Sequence, residues 1–538
     1  MRKILAMLMT MAMMFSLIGG TAVAFAADEA ESLTPGTYQE TVASVGGPMT
    51  VSVTVTEKEI TDVTVVEIHD TEGVCDEAVA RLPQMIVDNQ SVNIDGVTGA
   101  TLSSTFLKMA VRNALAQAGN AKGFNEKVTY MAPAQSDMDV DVVVVGGGLA
   151  GMSAAAATAG KGFKVVVVEK NGFLGGNSLI SDQYIGRAGT EPVYSAYPQA
   201  TADFQALGLP IMAVEYYGME GNRLWTDSVE EHAICSTVVN GMRKIVEDNG
   251  GLILTETPAI GLLSEDGAVR GVVAQPKNQE SFNINAKAVV LSCGGFAFNR
   301  ELVDANLSFA VGCPAIGLGG NRGDALEWVK DVDARLVAME ADDASFYSVS
   351  SKFGYYADYA TTLSHYVDAN GDLLTEDTNY SSATKDVYGK IGTEKYYVIE
   401  TLEDLESTYV LPNDVTKAEY EHLLLAGSVV RLEGIQAIKD QFGLPNLDQT
   451  FEQLGLDPNG TFYVSEAKAG IYGTYGGIDI DDASRALNNS GEPIPGLYAA
   501  GEVIGSREYR LTGAYGGGLG TGYSTGWIAA QTIAEEIA

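Results

Sequence analysis

Cysteine and histidine are scarce in this chain, with four of each in 538 residues. The cysteines, Cys75, Cys235, Cys293 and Cys313, stand far apart and form no C-x-x-C pair. Zinc ribbons, iron–sulfur clusters and c-type haem attachment need such pairs, so these centres are excluded and no metal site is expected. One disulfide or four buried thiols both remain open. Positive charge is also short: 33 Lys and Arg stand against 70 Asp and Glu, a formal net charge of −37. A surface of that sign repels nucleic acid and anionic lipid heads, which excludes nucleic acid as a partner and leaves solubility as the main role of the charge. Arginine is missing altogether between Leu336 and Val430, and histidine is missing after His422. Beyond the first twenty or so residues, no run is long and apolar enough to cross a bilayer.

What is present begins with a leader. Arg2 and Lys3 precede an apolar, Met-rich run over 4–18, and Ala24-Phe25-Ala26 supplies small residues for cleavage. We read residues 1–26 as a signal peptide. A membrane anchor is the alternative, but the run is short and Gly and Ala follow it at once. No cysteine closely follows the run, which argues against a lipoprotein. The expected location is extracytoplasmic, secreted or in the cell envelope.

The remainder is too long for one ordinary domain. Residues 51–66 alternate apolar and polar side chains about a charged turn, the pattern of two strands. Helical spacing follows over 75–87, with Pro83 inside it, and again over 106–118. These elements define a small α+β domain over 34–119. Residues 120–137, rich in Gly, Lys, Asn and Ser, read as a linker. Val142 to Val145 form an apolar strand core, a Gly-rich turn and an Ala-rich helix follow, and Val165 to Val168 form the next strand. That is a strand–helix–strand unit of an α/β, doubly wound (Rossmann-like) fold, assigned to 138–344 and 471–538. Between them, 345–470 is rich in Tyr and acidic residues and is read as an inserted α+β capping domain.

Two segments carry chemistry. The first is Asp95-Gly96-Val97-Thr98-Gly99-Ala100-Thr101-Leu102-Ser103-Ser104. Small residues and hydroxyls precede a helix whose free N–H groups suit a phosphate, although a Ser/Thr-rich N-cap explains the composition equally well. This segment resembles the flavinylation motif of FMN-binding domains in sodium-pumping quinone reductase and related electron-transport subunits. The resemblance spans about 36–119 and includes His69-Asp70-Thr71-Glu72. It implies FMN joined covalently, through its phosphate, to Thr101 by a dedicated flavin transferase acting outside the cytoplasmic membrane.

The second is Gly146-Gly147-Gly148-Leu149-Ala150-Gly151, a G-x-G-x-x-G turn that follows a strand and opens a helix. Glu169 ends the next strand, placed to accept hydrogen bonds from a ribose. A dinucleotide follows from this context. Later segments resemble the family of soluble fumarate reductases, urocanate reductases and 3-ketosteroid dehydrogenases, which implies FAD. They are Gly175-Gly176-Asn177-Ser178, the strand end Cys293-Gly294-Gly295-Phe296, the turn Gly320-Asn321-Arg322-Gly323-Asp324, and Gly496-Leu497-Tyr498-Ala499-Ala500-Gly501-Glu502-Val503. By this resemblance Gly146, Gly148, Gly151, Glu169, Gly176, Asn177, Ser178, Gly294, Gly295, Asp324, Gly501 and Glu502 are the expected FAD contacts.

The substrate side departs from that family. Fumarate reductases clamp two carboxylates with Arg and His, because a buried dianion without partners is costly. Tyr380 stands near where the proton-donor Arg belongs, and the family's His-His-Thr-Met-Gly-Gly is here Tyr472-Gly473-Thr474-Tyr475-Gly476-Gly477. Arg510-Leu511-Thr512-Gly513 echoes a carboxylate clamp; Tyr515-Gly516-Gly517-Gly518 resembles the ketone-binding loop of ketosteroid dehydrogenases. Arg510 as a surface residue and Tyr515 as packing on the flavin are the plainer alternatives.

The expected activity is flavin-dependent reduction of a carbon–carbon double bond beside a carbonyl, in an unsaturated acid or ketone, with Tyr515, Arg510 or Tyr380 as the donor. A membrane electron donor would feed the FMN, and anaerobic respiration on an external acceptor is the expected setting. A ketosteroid-type dehydrogenase and a non-catalytic electron-transfer subunit are the alternatives.

Overall fold

The computed structural model describes residues 32–119, 122–180, 185–187, 190–216, 219–225, 234–340, 345–350, 364–377, 380–401, 424, 427–505 and 517–538. The signal-peptide assignment to 1–26 lies outside them.

The N-terminal part is a three-stranded antiparallel sheet, β1 (Gly36–Ala43), β2 (Pro48–Val55) and β3 (Ile60–Glu67), in that order. The anticipated hairpin is β2–β3. Strand β1 is additional. Its side chains are mostly half-buried or exposed, as befits an edge strand whose alternation carries little apolar signal. Two helices cover the other face. Helix α1 (Asp76–Asn89) contains Pro83, and α2 (Thr101–Gln117) buries Leu107, Ala110, Val111, Ala114 and Leu115. Helix α2 begins five residues earlier than the apolar periodicity indicates, because its first turn is built of Thr and Ser.

The larger part is organised by one sheet. Its path runs β15 (Arg485–Leu487), β16 (Pro493–Ala499), β9 (Phe282–Leu291), β4 (Met138–Val145), β5 (Val165–Val168), β6 (Leu252–Leu254). From β16 to β6 every pairing is parallel. Strands β7 (Ala259–Glu265) and β8 (Ala268–Ala274) extend it antiparallel from β9. The chain leaves β4 toward β5 and β6, then returns to β9 on the opposite side. The strand order therefore reverses at β4, and in such sheets ligands bind beyond the carboxyl ends of the strands at that switch point.

Helix α3 (Leu149–Ala159) covers β4 and is buried at all eleven positions. On it lie α5 (Ile234–Asp248) and the C-terminal helix α7 (Gly517–Ile537). Helix α4 (Val193–Ala206) packs on α7, where Tyr523 meets Tyr197 and Phe204 with ring centres 5.6 and 5.4 Å apart.

A second, antiparallel sheet stands between β9 and β15 in the sequence. Strand β14 (Thr461–Gly473) pairs with β10 (Ser345–Ser350), β12 (Tyr396–Thr401) and β13 (Val429–Glu433), and β11 (His365–Val367) pairs with β12. Helix α6 (Tyr380–Ile391) packs on β10. Tyr366 and Tyr396 are fully buried here, with Tyr396 donating to the Ser348 hydroxyl at 2.6 Å, and Tyr397 is buried against Phe442. These three tyrosines belong to the core. No disulfide joins the four cysteines, and burial pushes Cys75 up to about 12 and Cys293 and Cys313 up to about 11, so these three thiols are inert at neutral pH.

Candidate flavin-binding sites

At the N-terminal site, Ala100 precedes α2 and offers no side-chain cap, and the first turn holds no acidic residue. Its N–H groups are left for an anion. Four hydroxyls surround this turn, and the structure sorts them. Thr98 donates to Glu256 at 2.6 Å, Ser103 to Asp70 at 2.5 Å, and Ser104 to the Ala100 carbonyl at 2.7 Å. Thr101 is exposed, and its hydroxyl has no partner among the described residues. Asp70 is buried and also accepts from the Ser44 hydroxyl at 2.7 Å and the Gly46 amide at 3.0 Å. It ties the β1–β2 turn to the start of α2. The residues present therefore fit a flavin phosphate held at Thr101.

At the second site, each glycine of the β4–α3 turn has its own reason. Gly146 has φ of +101°, and a Cβ there would lie 2.6 Å from the Ser292 carbonyl. A Cβ at Gly151 would lie 1.9 Å from the Gly146 carbonyl. At Gly148, by contrast, the nearest atom would be the Gly175 carbonyl at 3.7 Å, which leaves room for a pyrophosphate at the start of α3. Glu169, buried at the end of β5, accepts from the Gly147 amide at 2.6 Å and the Asn171 amide at 2.7 Å. Burial raises its carboxyl pKa although both amides favour the charged form. A carboxylate has about four lone-pair sites, more than the backbone amides of Gly147, Lys170 and Asn171 occupy, so acceptor capacity remains for a ribose hydroxyl.

Beyond β5 the chain runs through Gly175–Ser178. The Gly175 amide donates to Gly147 at 2.8 Å, and nothing stands within 4 Å of where a Gly176 Cβ would be. Asn177 accepts from the Leu318 amide at 2.9 Å, and the Ser178 hydroxyl accepts from Leu149 at 3.4 Å. At the ends of β9 and β16, a Cβ on Gly294 would lie 2.4 Å from Asn321, and one on Gly295 would lie 2.4 Å from Glu502. Glu502 accepts from Asn321 at 2.5 Å and from the Thr474 amide at 3.0 Å, while burial raises its pKa. Gly501 has φ of +76° and is held by Thr525 of α7.

The structure thus gathers the expected FAD residues around the carboxyl ends of β4, β5, β9 and β16. Asp324 opens a short helix, Asp324–Trp328, and pairs with Lys170 at 2.7 Å. Asn321 and Thr474 were not singled out beforehand. Asn321 lies inside the 320–324 turn, whereas Thr474 lies in the 472–477 stretch and carries no further signal. Of the expected donors, Tyr380 is the first residue of α6 with its side chain outside the described atoms, and Arg510 and Tyr515 lie outside the described residues.

Comparison with known proteins finds three matching segments. A model of the FMN-binding domain matches residues 45–116, one of the FAD-dependent oxidoreductases matches 141–295, and one of the FAD-binding domain matches 396–518. The chain is an FAD-dependent oxidoreductase with an FMN-binding domain. Among its relatives, a urocanate reductase of Eggerthella lenta is 27% identical over 86% of each chain. An NADH:acrylate oxidoreductase of Vibrio harveyi is 23% identical over 85% of this chain and 57% of the relative, so this chain spans little more than half of that protein. The open conformation of a flavocytochrome c3 fumarate reductase shares the fold, with a TM-score of 0.63 at 18% identity over 74% of this oxidoreductase and 79% of that chain.

Proposed function

We propose that this oxidoreductase reduces the carbon–carbon double bond of an α,β-unsaturated carboxylic acid or ketone, using electrons taken up at FMN on Thr101. The observation that carries the reading is structural. The turn bearing Thr101 is seated on the loop that follows Glu169, so the two flavin sites belong to one continuous assembly. The relatives supply the class of acceptor, since urocanate and acrylate are both unsaturated acids. FAD, when bound, supplies hydride chemistry and FMN one-electron traffic. The chain's own part is to hold the pyrophosphate at α3, the ribose at Glu169 and the remainder between Gly294, Asn321, Thr474 and Glu502. A donor from Tyr515, Arg510 or Tyr380 polarises the carbonyl or delivers the proton, where negative charge develops. The absence of Arg between Leu336 and Val430 favours a neutral or monoanionic substrate over a dianion.

The extracytoplasmic setting, the membrane electron donor and the flavin transferase are part of the same reading, and rest on the leader and the Thr101 motif. Residues 34–119, 345–470 and the two flanking segments are proposed as the FMN, capping and FAD domains.

The test is a screen of unsaturated acids and ketones with chemically reduced protein, repeated with Tyr515→Phe and Arg510→Ala. Turnover of at least one such compound is expected, slowed about tenfold or more, roughly 1.4 kcal/mol of barrier, by one of the substitutions. No turnover with any of them would reject the reductase; full activity in both variants would reject Tyr515 and Arg510 as the donor.

A further inference from the structure

Glu256 lies between β6 and β7, in a Thr-Glu-Thr-Pro turn with no motif around it. It is 2% exposed, yet it is charged. Burial pushes its carboxyl up, but hydrogen bonds from Arg81, Thr98 and Lys277 outweigh that and bring it down to about 2. The partners come from both parts of the chain. Arg81, on α1, donates to Oε2 at 2.6 Å. The amide and hydroxyl of Thr98 donate to Oε1 at 3.1 and 2.6 Å, and Lys277 donates to the same oxygen at 2.9 Å. Lys277 also reaches the Gly96 carbonyl at 3.1 Å and the Thr98 hydroxyl at 3.0 Å.

The backbone of Glu256 is tied just as firmly to the FAD side. Its amide donates to the Asn171 carbonyl at 2.8 Å, and the next amide, of Thr257, donates to the Glu169 carbonyl at 2.8 Å. Its φ of +48° is a conformation few non-glycine residues adopt. Thr98 is thus held from both sides, since its own carbonyl accepts from the Gly172 amide at 2.8 Å. The approach is close enough to exclude a side chain. A Cβ on Gly99 would lie 2.7 Å from Phe173 and 2.8 Å from Asn171, and a Cβ on Gly172 would lie 2.4 Å from Val97. Thr101 is two residues beyond Gly99, at most about 7 Å along the chain.

We propose that Glu256 is the positioning residue that docks the FMN-bearing turn onto the loop after β5, fixing the distance between the two flavin sites. The inference rests on the reading of Thr101 as the FMN carrier. The carboxylate is the one acceptor that satisfies Arg81, Thr98 and Lys277 together, and its backbone transmits that position to Asn171 and Glu169. Without it, Arg81, Lys277 and the Thr98 amide, all half-buried at a seam between domains, lose the acceptor they share, so the seam opens.

The test uses the full chain carrying both flavins, as wild type, Glu256→Gln and Arg81→Met. Hydrogen–deuterium exchange is followed at the peptide containing the Gly172 amide, which the Thr98 carbonyl protects only while the seam is closed. Flavin-to-flavin electron transfer is followed after pulsed reduction, and turnover is driven separately by reduced methyl viologen, a small donor that reaches FAD directly. Expected in both variants are Gly172 exchange faster and flavin-to-flavin transfer slower by about tenfold or more, with FAD content and viologen-driven turnover within about twofold of wild type. Exchange and transfer within about twofold of wild type in both variants would overturn the proposal. So would a parallel loss of FAD and viologen-driven turnover, which marks a residue that merely holds the FAD loop together. If the wild type carried no FMN, the functional reading would fall, while Gly172 exchange would still decide the docking.

Discussion

At the residue scale, the N-terminal site is a sorting of hydroxyls. Thr98, Ser103 and Ser104 are each committed to a structural hydrogen bond, and only Thr101 presents its oxygen outward from the first turn of α2. Thr101→Ala should therefore abolish the FMN adduct in the intact mass of the chain and leave FAD bound, whereas Ser103→Ala should keep the adduct. The latter takes from buried Asp70 one of its three donors, a loss of about 1–3 kcal/mol that thermal unfolding of the FMN domain would report. An adduct surviving Thr101→Ala would show that another hydroxyl carries the flavin. The motif was legible in the sequence because its letters are distinctive. Which hydroxyls are occupied was not, since the partners Asp70 and Glu256 lie 33 residues before Ser103 and 158 residues after Thr98. Thr and Ser also rank low as helix formers, which hid the true start of α2 behind the apolar periodicity that begins at Phe106.

At the scale of elements, the FAD site depends on α3 and α7 lying unusually close. Ser153 of α3 donates to the Tyr523 carbonyl of α7 at 2.7 Å, and a Cβ at Gly526 would sit 2.2 Å from the Ala150 carbonyl. In an isolated helix Gly→Ala gains about 1 kcal/mol. Here the added methyl meets backbone, not a side chain that can rotate away, so the helices must separate. Gly526→Ala should be net destabilising by about 1–3 kcal/mol and weaken FAD retention, because Thr525 next door holds Gly501 at the end of β16. A higher melting temperature with unchanged FAD content would refute this. The Val-rich strands β4 and β5 and the Ala-rich α3 were readable, being apolar in uninterrupted runs. Strand β1 and the contact of α3 with α7 were not. An edge strand needs no apolar alternation, and helix–helix proximity over some 370 residues of chain leaves no local trace.

At the scale of the whole molecule, docking of the two flavin domains depends on a carboxylate, and so on pH. With Glu256 down to about 2 in the docked state, against about 4.3 for a free glutamate, docking is fully supported above that free value. Support fades as pH falls from about 4.3 through about 2, because protonation removes the acceptor that Arg81, Thr98 and Lys277 share. The linked contribution is at most about 3 kcal/mol, since Lys277, on the same domain, stays beside Glu256 when the seam opens. The other charged groups here do not move the window. Arg81 lies over the Tyr130 ring and remains protonated. Glu77, 3.8 Å from Arg81, is raised chiefly by burial and is the first to neutralise on acidification, before Glu256 does. Exchange at the Gly172 amide should therefore be flat from pH 8 to about pH 5, once corrected for intrinsic exchange, and should rise only below about pH 4. In Glu256→Gln the rise should already be present at pH 7 and should not steepen in acid. A transition near pH 6 in the wild type would point to a histidine and not to this carboxylate, and would separate docking from the Arg81–Glu256–Lys277 cluster.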